Sequence, residues 1–128
     1  MLIEYVSNVN QKFPKDAIVR IFDFTMRESK DFCRSMMRIW ETGEPLDMAT
    51  LNFAKEINCK LRFAVDDRDQ GVRKSSDGNF VCFLTKKSYW EMYRLIESYN
   101  EKEGELAHQW LYNLNTDIDL LYSRTGLW

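Results

Sequence analysis

Residues 56–66 read EINCKLRFAVD, and their alternation decides the fold. Ile57, Cys59, Leu61, Phe63 and Val65 take every second place against Glu56, Asn58, Lys60 and Arg62, with Ala64 as the exception. A period of two gives a strand with one dry and one wet face, the pattern of antiparallel sheet. Downstream, a polar loop and Val72 lead to the turn-forming run Ser75-Ser76-Asp77-Gly78. Phe80–Leu84 (FVCFL) follows, apolar on both faces, which predicts a central strand covered on both sides.

Working outward, Thr85 and Ser88 both suit a helix N-cap, and Ser88 with Glu91 has capping-box spacing. Tyr89, Met92, Tyr93 and Ile96 mark the inner face of that helix, which should fray between Asn100 and Gly104. Ala107–Leu114 reads as a short helical turn and Ile118–Ser123 as a last strand. Upstream, Thr25 and Glu28 form another capping box. Phe32, Cys33, Met36, Met37 and Trp40 then recur at helical spacing until Gly43 and Pro45, predicting a helix over 26–41. Leu2–Val9 and Ala17–Phe24 are rich in β-formers and are separated by a loop containing Pro14. The expected fold is α+β in a single domain, residues 1–128. A mostly antiparallel sheet of about five strands, in the order β-β-α-β-β-α-β, carries both helices on one face.

Composition limits the function classes. The 128 residues carry 45% hydrophobic and 14% aromatic side chains, enough for a core, so disorder is not expected. No apolar run is long enough to span a bilayer. The opening MLIEYVSNVNQKF contains Glu4 and no basic start, so no signal peptide is expected. Cys33, Cys59 and Cys82 are odd in number and far apart, which suits buried free thiols in a cytoplasmic protein. Net charge is −2, unevenly spread: residues 91–119 hold seven acids against Arg94 and Lys102, a net of −5. No membrane partner is expected, and the balance gives no pull toward nucleic acid.

The motifs for chemistry are sparse. His108 is the lone histidine, and no cysteine pair stands within four residues, so no zinc set and no other metal or cofactor is expected. Asp66, Asp67 and Asp69 precede Gly71 as in a calcium loop, but Arg68 falls at a ligand position and Asp77 replaces the closing Glu. That loop is read as a solvated turn or a secondary acidic recognition loop. No phosphate-binding glycine motif occurs. Arg27, Lys30, Arg34 and Arg38 form a basic row on the first helix, diluted by Glu28 and Asp31. At the acidic end, Glu97, Glu101, Glu103, Glu105, Asp117 and Asp119 accompany Tyr99, Trp110 and Tyr112, read as exposed. Aromatics beside acids anchor a basic protein partner, the rings by burial and the charges by faster encounter.

The passages HQWLYNLNTDIDLLYSRTGLW (108–128) and LRFAVDDRDQGV (61–72), with Ile21-Phe22-Asp23-Phe24-Thr25, resemble small stand-alone bacterial α/β proteins from about residue 18 onward. The resemblance implies no activity. In size, acidity and want of a catalytic set the chain is similar in type to immunity proteins that neutralise bacterial contact-dependent toxins. The leading expectation is therefore a non-catalytic binding domain that covers a toxin nuclease domain. A second is a regulatory or scaffolding homodimer joined through an edge strand or through Leu127 and Trp128. A third is a hydrolase or nucleic-acid enzyme using His108 with Asp117 or Asp119.

Overall fold

The computed structural model describes residues 1–7, 17–75, 77–102 and 105–126. In chain order these form β1 (Leu2–Ser7), β2 (Ala17–Phe22), α1 (Met26–Thr42), β3 (Leu46–Asp47), β4 (Lys55–Glu56) and β5 (Lys60–Val65). There follow β6 (Gly71–Lys74), β7 (Asn79–Leu84), α2 (Lys86–Glu101), β8 (Gln109–Trp110) and β9 (Ile118–Ser123). The α+β class holds. The strands divide into two sheets, ordered β4-β1-β2-β9-β8 and β3-β5-β7-β6.

Both sheets are mixed rather than antiparallel throughout. β1 and β2 pair antiparallel, as do β6 and β7, but β2–β9 and β5–β7 are parallel. Alternation fixes which side chains share a face and leaves the partner strand open. Parallel pairing needs a long crossover, and here most of the chain lies between β2 and β9. β7 is central, between β5 and β6, as its apolar run predicts.

The local capping chemistry forms largely as read. Thr25 Oγ1 accepts from the Glu28 N–H at 3.1 Å while Glu28 Oε1 accepts from the Thr25 N–H at 2.8 Å. Gly43, in the left-handed region at φ 73°, closes α1 with its N–H on the Ile39 carbonyl. Thr85, not Ser88, caps α2. Three expectations need correction. The strand over 56–66 is broken, because the Asn58 amide bonds both N–H and C=O of Tyr5 and bends the chain, leaving Ile57 47% exposed. Ala107–Leu114 contributes a two-residue strand, β8, instead of a helical turn, because β9 offers it an edge. Trp40 is 39% exposed: Phe32, Met36 and Ile39 take the core-facing stripe, and Trp40 falls one position past it.

Both sheets and both helices bury their inner faces in one core. Its spine is aromatic. Tyr122 of β9 is ringed by Phe24, Phe32 and Tyr99 at centroid distances of 4.4, 5.6 and 5.6 Å. Phe32 also reaches Phe63 of β5 at 6.0 Å, and Phe63 meets Tyr89 of α2 edge-on at 6.3 Å. Buried hydroxyls are satisfied: Tyr122 pairs with Ser29 at 2.7 Å, and Tyr89 shares its hydrogen between the Ala64 and Cys82 carbonyls. The three cysteines are free and buried. Burial pushes the Cys33 and Cys59 thiols up to about 11, with Glu97 and Glu56 respectively acting in the same direction. None of them is an activated nucleophile. No helix among the described residues is long and apolar enough to cross a membrane.

A second link between the sheets is a single hydroxyl. Tyr112 accepts from the buried Val72 N–H at the start of β6, at 3.1 Å, and donates to the Ile118 carbonyl of β9. Gly71, at φ 73°, lets the phenol ring approach; a Cβ there would lie 3.0 Å from it. Tyr112→Phe strands the Val72 N–H and is expected to cost about 1–2 kcal/mol in urea unfolding. Gly71→Ala, which adds backbone strain to the clash, is expected to cost more. A Tyr112→Phe protein within about 0.5 kcal/mol of the parent would show that the clasp carries no weight.

Candidate functional site

The acidic run divides among separate places on the molecule. Glu97 and Glu101 line a groove of about 470 Å3 between α1 and α2. Asp119 lines a depression of about 480 Å3 at the β8 edge with Trp110 and Tyr112, walled by Leu95 of α2 and by Leu114. Asp117 lines a third, of about 240 Å3, beside Arg73 and Gln70. Glu105 is exposed on the turn after α2, its N–H on the Lys102 carbonyl, and Glu103 lies outside the described residues. Thus Trp110, Tyr112 and Asp119 come together, Glu97 and Glu101 come together elsewhere, and Asp117 joins neither group.

Two aromatics read as exposed are structural. Tyr99 is buried against Tyr122, and its hydroxyl accepts the Arg124 N–H at 3.0 Å. Tyr112 is half-buried with its hydroxyl engaged as described, and burial drives that phenol far above its ordinary range. Trp110 alone of the three is open, at 40% exposure. The register explains why. Trp110 pairs with Leu121 of β9, Leu121 with Arg20 of β2, and Arg20 with Glu4 of β1. This row lies on the face of the first sheet opposite Val19, Leu120 and Tyr122, which point into the core. The row is polar toward β1, where Arg20 and Glu4 form an ion pair at 2.8 Å, and apolar toward β8. The His108 ring stands edge-on to Trp110 at 5.7 Å and narrows the indole's freedom.

The remaining sequence candidates find other roles. His108 Nδ1 is buried with no hydrogen-bond partner among the described residues. No group of three metal-ligating side chains forms among the described residues. On the basic row, Arg34 pairs with Asp31, Arg38 lies 3.7 Å from Glu44, and Arg27 and Lys30 are exposed.

The acidic loop is internally bonded. Asp66 accepts from the Asp67 N–H and from the Gln70 amide. Asp69 reaches the start of α2, where it accepts from the Thr85 N–H at 2.8 Å, the Thr85 hydroxyl at 3.1 Å and the Ser88 hydroxyl at 2.8 Å. Asp67 stays exposed. The sequence signal for the Asp69 role was available, since two cap residues at Thr85 and Ser88 need only one carboxylate from the preceding loop.

Burial pushes the Asp69 carboxyl up, but the three hydrogen bonds and nearby Lys87 outweigh it and hold the group below its usual range. A depressed carboxyl stabilises the fold above its unfolded pKa and loses that contribution as pH falls through the folded value. Asp69→Ala is therefore expected to lower stability by about 1 kcal/mol at neutral pH. The gap from the parent should close as pH drops below about 4. Melting curves across that range check both; a gap that does not change with pH contradicts the assignment.

Compared with family models, with curated proteins and with solved structures, the chain gives no match.

Proposed function

We propose that this chain is a non-catalytic protein-binding domain whose β8 edge, centred on Trp110, receives a cationic segment of a partner protein. The observation that carries the reading is the open indole: a tryptophan 40% exposed, backed by His108 and bordered by a depression with apolar and carboxylate walls. Tryptophan at a surface hollow is the side-chain type most enriched among binding hot spots. Its ring face attracts Lys or Arg, and a carboxylate wall steers the same charge inward. Leu106, four residues upstream and 39% exposed, adds apolar area of the kind a partner covers.

The narrower form of the reading is an immunity protein that masks the basic active site of a toxin nuclease domain. It is supported by the chain's net charge of −2, which favours a basic partner, together with the open Trp110. Edge-strand assembly has less to work with. Among the described residues the edges formed by β3, β4 and β8 are two residues long and β6 is four, and short edges discourage strand addition; Leu127 and Trp128 lie outside the described residues.

The test begins with a tagged chain recovered from its host cell, identification of the co-purified protein, and calorimetry with that protein. Trp110→Ala is expected to weaken binding about 30-fold or more while leaving the melting temperature within a few degrees. Affinity should fall as salt rises. Unchanged affinity in Trp110→Ala, or a co-purified partner that is acidic at its contact surface, would overturn the reading.

A further inference from the structure

The helix pair presents a second surface, which does not involve Trp110. α1 and α2 run antiparallel, with levels set by three contacts. The Ser29 hydroxyl bonds Asn100 at one end, Cys33 Sγ reaches the Tyr93 carbonyl midway, and Lys86 lies against Gly43 at the other end. The inward stripes, Phe32, Met36 and Ile39 on α1 and Tyr89, Met92 and Ile96 on α2, are consumed by the core. Beside them run outer stripes at helical spacing: positions 26, 30, 33, 37 and 40 on α1, and 90, 93, 97 and 101 on α2.

These outer stripes wall the groove of about 470 Å3. Its lining charges are sorted by helix, with Arg34 already paired to Asp31, and Glu97 to Arg94 and the Tyr93 hydroxyl, so that Lys30 and Glu101 carry the unmatched charge among the described residues. Lys30 and Arg34 stand on the α1 wall, and Glu97 and Glu101 on the α2 wall. Lys30 and Glu101 are exposed, and neither makes an ion pair among the described residues. At the other end of the same stripes stand Trp40 and Trp90, 39% and 38% exposed, with the Arg94 guanidinium 5.4 Å from the Trp90 ring.

A face with one positive and one negative wall repels part of any partner of uniform sign. It fits a partner whose walls are sorted the opposite way round, and a second copy turned about a two-fold axis along the groove is such a partner. That rotation keeps each residue at its own level and lays α1 of one copy over α2 of the other, antiparallel. Lys30 then meets Glu101 of the second copy and Arg34 meets Glu97. Met37 meets Tyr93, and Trp40 meets Trp90. Every contact occurs twice, as an isologous interface requires. We propose that the outer face of α1 and α2 is a homodimer interface, closing two helix pairs into a four-helix bundle.

The size of the face sets the expected strength. Sixteen helical residues span roughly 24 Å and two helices about 20 Å, so a dimer buries on the order of 1,000 Å2 in total. That is the lower end for specific interfaces and predicts a dimer that dissociates on dilution. The opposite-charge pairing further predicts that salt weakens it.

Sedimentation equilibrium of the full chain tests the proposal. The parent is expected to approach dimer mass at submillimolar concentration and to become monomeric on dilution. Lys30→Glu alone, or Glu101→Lys alone, sets like charges opposite each other at both symmetric positions and is expected to weaken self-association about tenfold or more. Mixing the two variants restores both pairs, so an equimolar mixture should form a heterodimer while neither component self-associates. Circular dichroism confirms that these exposed substitutions leave the fold intact. Trp110→Ala should leave the dimer unchanged, which separates this proposal from the binding reading above. A parent that is monomeric at submillimolar concentration overturns it, and so do single variants that associate as tightly as the parent or a mixture that does not recover.

Discussion

Two sheets of this chain share one pair of helices, and Phe32 is the side chain at which that sharing occurs. Its ring lies between Tyr122 of the first sheet and Phe63 of the second, so neither sheet buries its inner face independently. Aromatic pairs of this geometry add roughly 0.5–1.5 kcal/mol each beyond the area they bury. The hydroxyl of Tyr112 makes a second, polar connection at the β6–β9 side. Between them, the two links hold the sheets in one relative placement, and every surface feature follows from it.

What the core consumes determines what remains outside. Tyr89, Tyr99 and Tyr122 put their rings in the core and spend their hydroxyls on internal acceptors and donors. Among the described residues the open aromatics are then Trp40, Trp90 and Trp110, on two different surfaces. Carboxylates that follow one another in sequence separate in space because α2 and β9 carry them to different faces. Glu97 and Glu101 end in a groove with lysine and arginine opposite, a pattern of self-complementarity, whereas Asp119 ends beside an indole. Both proposed surfaces thus rest on packing decided tens of residues away.

The features legible in sequence were those set by local chemistry. α1 could be bounded within a residue because its capping box and its left-handed Gly43 act over three or four positions. The β5 face was legible because alternation is a property of the strand itself, and the central place of β7 because its run is apolar throughout. β8 was not, since Gln109 and Trp110 have no period and form a strand only through the edge of β9. Parallel pairing was equally hidden. Among the site residues, Trp110, Tyr99 and Tyr112 all read as open rings in sequence, and only Trp110 of the three is open, the other two being clasped. Nothing near either residue announces that Arg124 or Val72 will supply a backbone N–H. Asn58, replacing a strand residue with its own amide, broke the most regular pattern in the chain.

The shared core is the claim on which both surfaces depend, and amide hydrogen exchange of a Phe32→Leu protein tests it most directly. That substitution keeps the site apolar while removing the ring that touches both sheets. If the ring couples them, the most protected amides of β2 and β9 and those of β5 and β7 should lose protection by the same factor. Loss confined to one sheet, with the other as protected as in the parent, would mean that the sheets are stabilised separately and would contradict the account.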